Sequence, residues 1–211
     1  MIKYRIYDAF ERVFMRFLKE NSYDILRLYI NQIGITIFSL VLYTSISSLD
    51  SSLSLKLKIA ISIFSMLFFF ALLYTVSWDW GANDKIRIDA GRVKKRSYKG
   101  ALMALMANAI NFVLAATCVI CDSLVYFKGI DSANAVSQIA NLILRLTNAM
   151  YLGLIQGIFV SFKAADFYIL LQSLAFLAAP LLAILVTHIG YTFGLKNIKI
   201  FPSTKNKKQK K

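Results

Sequence analysis

Long uncharged blocks alternate with short charged ones along this chain. Ile59–Trp78 runs for 20 residues without a charge, Ala101–Cys121 for 21 and Phe167–Leu195 for 29. Leu28–Leu49 is uncharged over 22 residues, although Asn31, Gln32 and several serines and threonines dilute it. A helix needs about 20 predominantly apolar residues to cross a bilayer, so these four blocks predict four transmembrane helices. A further apolar stretch, Ile139–Phe162, is interrupted by Arg145. Near the start, Ile6, Phe10, Val13, Phe14 and Phe17 recur at spacings of three and four, with Arg5, Arg12, Arg16 and Lys19 largely off that stripe. This period predicts an amphipathic helix within residues 1–27. A basic face opposite an aromatic one suits a membrane surface.

Residues 134–163 carry a second kind of periodicity. At the angular step of a helix, Asn134, Gln138, Asn141, Arg145, Asn148, Gln156 and Lys163 share one sector about 80° wide. Ile139, Ile143, Met150, Leu154 and Ile158 lie mostly opposite. A polar stripe of that length is costly against lipid tails. The segment is therefore expected as an amphipathic helix in the outer headgroup region, as a re-entrant hairpin lining a watery cavity with Gly153 and Gly157 as places for a break, or as a full extra span, which would export the Lys-rich tail.

Composition agrees with the pattern. The chain of 211 residues is 58% hydrophobic and 17% charged, against roughly 45–50% and 25% in an ordinary soluble domain. Its net charge is +14, and the position of that charge sets the expected topology. Residues 1–27 hold six of the 25 basic residues, 79–100 hold seven and the Lys-rich tail 196–211 holds seven. Lys and Arg are retained on the cytoplasmic side. Both termini and the basic loop 79–100 are thus expected in the cytoplasm, which requires an even number of crossings. No cleavable signal is expected, because the first apolar block begins 28 residues in and no small-residue cleavage site closes it. The positive charge flanks apolar blocks without any recognisable nucleic-acid module, so anionic headgroups of the bilayer are the expected partner and nucleic acid is not.

Candidate chemistry is sparse. Ala104, Ala107, Asn108, Asn111, Ala115, Cys118 and Asp122 form one face of the third span. Small residues allow close helix approach and amides hydrogen-bond across interfaces, so this face should point into the bundle. Asn108, Asn111, Arg145, Asn148, Gln156 and Gln172 are the candidate packing or pathway residues. Cys118 and Cys121 form a C-x-x-C that could be a redox pair, but no second pair is present to relay electrons. Trp78, Trp80, Arg92, Lys94, Lys95 and Arg96 are expected to face lipid or a partner from the basic loop. His188, Gly190 and Gly194 lie near the inner end of the last span, where the glycines suit close packing, and Pro180 is expected to kink that span. Asp79, Asp84 and Asp89 do not match a calcium loop. No nucleotide, hydrolase or metalloprotease fingerprint occurs, so no catalytic residue, metal ligand or cofactor is assigned. There is no internal repeat of the kind that marks many transporters.

The run from Trp80-Gly81 through Asp84 and Gly91 to Lys99-Gly100, together with Gly190-Tyr191-Thr192-Phe193-Gly194 before a basic tail, resembles uncharacterised polytopic membrane proteins of low-GC Gram-positive bacteria. The resemblance covers about 35 residues. It implies location in a bacterial plasma membrane and a topology, and it assigns no functional residue.

The expectation is an all-α membrane protein of four transmembrane helices (about 28–49, 59–78, 101–121 and 167–195). An N-terminal amphipathic interfacial helix and an outer amphipathic or re-entrant helix accompany them. Its leading role is an accessory or scaffold subunit of a membrane complex, acting beside a membrane-protein partner. A small-solute permease component, with Asn108, Asn111, Arg145 and Gln172 near the path, is the alternative. A thiol oxidoreductase using Cys118 and Cys121 is the third.

Overall fold

A computed structural model describes residues 2–46, 51–129, 131–159 and 167–200. Among these the chain forms α1 (Ile2–Ile46), α2 (Ser51–Asp89), α3 (Lys99–Ala107), α4 (Ala109–Lys128), α5 (Asp131–Thr147), α6 (Ala149–Phe159) and α7 (Tyr168–Leu195), with no strand. Four helices are long and apolar enough to cross a membrane: 14–46 within α1, 53–89 within α2, α4 and α7. The all-α, multi-pass membrane architecture is as expected.

Three boundaries differ from those the hydropathy suggested. The N-terminal segment is not a separate interfacial helix, because α1 is one unbroken helix of 45 residues, about 68 Å long. Of its aromatic stripe, Phe17 is buried in the core while Phe14 is exposed. The side chains of Arg5, Ile6, Phe10, Arg12 and Val13, and all of Lys163, lie outside the described residues. The basic loop is shorter than 79–100, since α2 continues helically through Asp89. Charge ends an apolar block without ending a helix, because Ala82, Lys85 and Arg87 are good helix formers and close packing on α7 holds Gly81 within the helix. Finally, the third span is divided at Asn108, whose φ of −95° and ψ of 5° interrupt the helix between α3 and α4.

Backbone chemistry explains the true ends. Gly91 takes a left-handed φ of 71°, while its N–H bonds to Ile88 and that of Arg92 to Arg87. This is the Schellman closure that satisfies the last carbonyls of a helix. Asn197, with φ 55°, closes α7 in the same way through bonds to Gly194 and from Ile198 to Phe193.

The bundle has two distinct ends. α2 and α7 run parallel and finish together at the basic end, where α1 and α3 begin. At that end the backbones of α2 and α7 touch. A Cβ on Gly81 would lie 2.2 Å from the Tyr191 carbonyl oxygen, and one on Gly194 would lie 2.2 Å from that of Trp78. A Cβ on Gly190 would collide with Ser77, and one on Gly100 would lie 2.6 Å from that of Tyr191. Lipid provides no hydrophobic drive between helices, so association rests on such close packing.

α5 and α6 are joined at Asn148 with a bend of 114°. Their partners show that the pair turns back instead of crossing. On α4 and α5, Asn111 meets Asn148 and Asp122 meets Ser137, the same 11-residue separation on two antiparallel helices, about 16 Å. Thr147 then meets Thr36 of α1, while Gln156 of α6 meets Tyr43, further toward the end from which α5 entered. The break lies at Asn148 and not at Gly153 or Gly157. Those glycines seat α6 against α2, where their Cβ atoms would collide with Lys58 and Ile59.

Gly194→Ala should therefore cost about 1–3 kcal/mol, as overpacking does. A Cβ on Gly34 would meet nothing within 4 Å, so Gly34→Ala should be neutral or stabilise by up to about 1 kcal/mol. Unfolding by SDS titration of the purified variants measures both, and equal losses would contradict the seam.

Candidate functional site

α5 is amphipathic in the inverted sense. Val136, Ile139, Leu142, Ile143 and Leu146 are exposed, Ile139 by 63%. Ser137, Asn141 and Asn148 are buried against the bundle, Asn148 completely. An interfacial helix covering a bundle presents its polar face to headgroups and water. Here the apolar side chains are left open, which suits lipid tails, while Ser137, Asn141 and Asn148 turn inward and Asn134 and Gln138 stay exposed beside them. Of the expected arrangements, the inward-turned part of the polar face fits the re-entrant hairpin better than the surface helix.

The inward face meets polar groups from α4 and α7. Both carboxylate oxygens of Asp122 accept hydroxyl hydrogen bonds, one from Ser137 and one from Ser173 at 2.5 Å. Arg145 donates from Nε to Asn141 at 2.7 Å and from Nη2 to Gln172 at 2.8 Å. Gln172 in turn donates to the Tyr168 hydroxyl at 2.6 Å. Deeper in, Asn148 donates to Asn111 and Asn111 to Asn108, each at 3.3 Å. Asn108 closes the chain by donating to the Ala104 carbonyl at 3.0 Å. The Oδ1 of Asn148 has no hydrogen-bond partner although it is buried.

Above this network lie two adjoining cavities of about 390 and 310 Å³. Asp122 and Asn134 line both, and Ser137, Gln138, Asn141 and Arg145 line the second. Asp122 and Arg145 thus border the same space, yet they form no ion pair. Among the described residues only Arg16–Glu20 and Lys99–Asp84 do.

Five of the six pathway candidates join this system directly. The sixth, Gln156, accepts from Tyr43 on the returning arm. Sequence reasoning does not single out Ser137, Ser173, Tyr43 or Tyr168. Short hydroxyl side chains are common in transmembrane helices and carry no periodic signal of their own. Asp122 is legible as the one carboxylate of the third span's polar face. Cys118 is fully buried and Cys121 half-buried, both as free thiols. Thiol exchange needs an exposed thiolate, so the geometry adds nothing to the redox reading. Among the described residues, no three His, Cys, Asp or Glu side chains converge as metal ligands would. His188 is half-buried and its Nδ1 makes no hydrogen bond.

At the basic end the expected lipid-facing loop is only partly so. Arg92, Lys94, Lys95 and Arg96 are exposed. Trp80, by contrast, is buried at 7%, because α2 remains helical there and turns its indole into the bundle. Trp78 is half-buried and donates to the Ile198 carbonyl at 2.6 Å, with Lys199 over its ring. No protein-family model, curated protein or solved structure matches this chain. Several residues of the basic end come together in space. Asp84 accepts from Lys99 at 2.8 Å and from the Tyr191 hydroxyl at 2.9 Å, beside the contacts of Gly81, Gly100, Gly190 and Gly194.

Cysteine labelling checks the inverted face. In a Cys118→Ser/Cys121→Ser background, Gln138→Cys should react readily with a membrane-impermeant maleimide and Ile139→Cys several-fold more slowly, because thiolate forms in water and not in lipid. Equal rates would place both positions in the same medium.

Proposed function

We propose that this chain is a multi-pass bacterial plasma-membrane protein that handles a small polar solute, as a permease or the membrane component of one. The inverted face of α5 carries this reading. Insertion scales put an arginine at the centre of a membrane helix at about 2.5–3.5 kcal/mol. Hydrogen bonds between membrane helices contribute on average only about 0.6 kcal/mol each. The two bonds of Arg145 therefore do not offset its placement, and an apolar side chain would hold the hairpin better. Ionisable groups kept inside a membrane against that balance mark a ligand path by default.

Positive charge favours the basic end as the cytoplasmic one. Both termini then lie in the cytoplasm and the hairpin opens to the exterior. Asp122 and Arg145 present opposite charges around one cavity without pairing, which suits a small zwitterion able to meet both. Asn141 belongs to the cavity lining, and the buried Asn148 and Asn111 extend the hydrogen-bond network inward from it.

An accessory-subunit role is the second reading, supported by the exposed basic segment Arg92–Arg96. One experiment separates the two. Thermal stability of the detergent-purified chain is screened against small zwitterions, carboxylates and amines. A bound solute at about 100 times its Kd stabilises by about 2.7 kcal/mol. At least one zwitterion should raise the Tm of the wild type, and neither Arg145→Met nor Asp122→Asn should respond. A Cys118→Ser/Cys121→Ser variant should respond like the wild type. Absence of any solute response, with a stoichiometric protein partner after mild extraction, would establish the accessory role instead.

A further inference from the structure

We propose that the cavity at the basic end is a binding site for a phosphate-bearing anion. The cavity measures about 510 Å³, within the range of small-ligand sites. It is bordered by Arg16, Arg87, Arg92, Lys94, Arg96 and Lys99, brought from α1, the last turn of α2, the loop after it and the start of α3. Its two carboxylates are already engaged, Glu20 with Arg16 at 2.9 Å and Asp84 with Lys99 at 2.8 Å. Asp24 lies within electrostatic range of Lys99 and Arg87 without forming an ion pair. Arg87, Arg92, Lys94 and Arg96 are left with no carboxylate partner among the described residues.

The floor of this cavity is built. Asp84 and Tyr191 are both buried and hydrogen-bonded to each other, and Lys99 is held against them. The floor rests on the glycine contacts of α2, α3 and α7, so the cations above it converge on a fixed surface. α3 begins at Lys99 with no side chain capping its first N–H groups, which adds positive potential at the same place. Three of the four unmatched cations are arginines. Their planar forks suit the paired oxygens of a phosphate better than a single carboxylate or a diffuse surface charge. Basic pockets between membrane helices on the cytoplasmic side suit lipid headgroups with more than one phosphate, and a soluble diphosphate offers the same chemistry. The inference does not depend on the solute reading of the opposite end.

Native mass spectrometry of the detergent-purified full chain tests it, with diphosphatidylglycerol, phosphatidylglycerol or inorganic pyrophosphate added separately. The wild type should retain one equivalent of a doubly phosphorylated probe. Arg92→Gln/Lys94→Gln/Arg96→Gln should weaken retention about a hundredfold. A control removing as many charges outside the cavity, Lys95→Gln/Lys196→Gln/Lys199→Gln, should bind nearly as the wild type does. All six side chains are exposed, and size-exclusion profiles check that both variants fold. Retention of diphosphatidylglycerol without pyrophosphate assigns the site to a lipid headgroup, and retention of pyrophosphate assigns it to a soluble phosphate compound. Equal losses in the two triple variants, or no stoichiometric retention of any probe, would overturn the proposal and leave only a basic membrane surface.

Discussion

Direct backbone contact between α2 and α7 is the constraint from which the rest of the molecule is hung. Gly81 and Gly194 leave no room for a Cβ between them, so the two helices meet at a separation that no larger residue permits. With lipid as solvent, close packing and dispersion supply what the hydrophobic effect supplies in water. Once α7 is locked in this position, its far half is fixed too. Gln172 and Ser173 then reach Arg145 and Asp122. At the near half, Tyr191 sits between two packed glycines and offers its hydroxyl to Asp84. Both polar centres therefore inherit their geometry from one apolar seam.

Hydropathy makes the four long helices legible, because an uncharged run of about 20 residues has few other uses. It is less informative about where helices stop. Residues 79–89 carry two bases and three acids, yet they continue α2, since a helix leaving the membrane loses nothing by becoming polar. Real ends are written in backbone chemistry instead. Gly91 belongs to a loose sequence pattern, but its role as a left-handed helix stop needs the observed φ. In the sequence Asn108 and Asn148 look like packing or pathway amides, and both sit at helix breaks as well. An amide that can bond to nearby backbone competes with the helical ladder, which is why one residue type serves both purposes.

The direction of α5 is the part that periodicity cannot give. Counting angles separates Asn134, Gln138, Asn141 and Arg145 from Ile139 and Ile143, but it does not say which side meets lipid. That choice depends on what the neighbours offer. Asp122 and Asn111 present polar groups about three turns apart on α4, and Ser137 and Asn148, separated by the same distance, meet them. An apolar neighbour would have turned the same helix over. Trp80 teaches the same lesson in reverse, since an aromatic residue near a membrane boundary suggests lipid, and the bundle takes it inward.

The charges at the two ends are handled differently, and the contrast bears on what each end is for. At the basic end Asp84 is paired directly with Lys99 and secured by Tyr191, so the carboxylate is spent on architecture and the surplus of charge is positive and open. At the hairpin end Asp122 and Arg145 border one cavity, yet each is held by neutral groups. A bundle shaped only for cohesion would put apolar side chains at both positions, or else pair the two charges directly so that neither is left uncompensated. Serines and amides hold them apart. On the proposed solute reading, such hydroxyl and amide bonds would be exchanged for those of an entering polar molecule, whereas a direct ion pair would close the space to it. On the same reading, the unpartnered Oδ1 of the fully buried Asn148 is a spare acceptor at the inner end of the hydrogen-bond network, beyond the cavity itself.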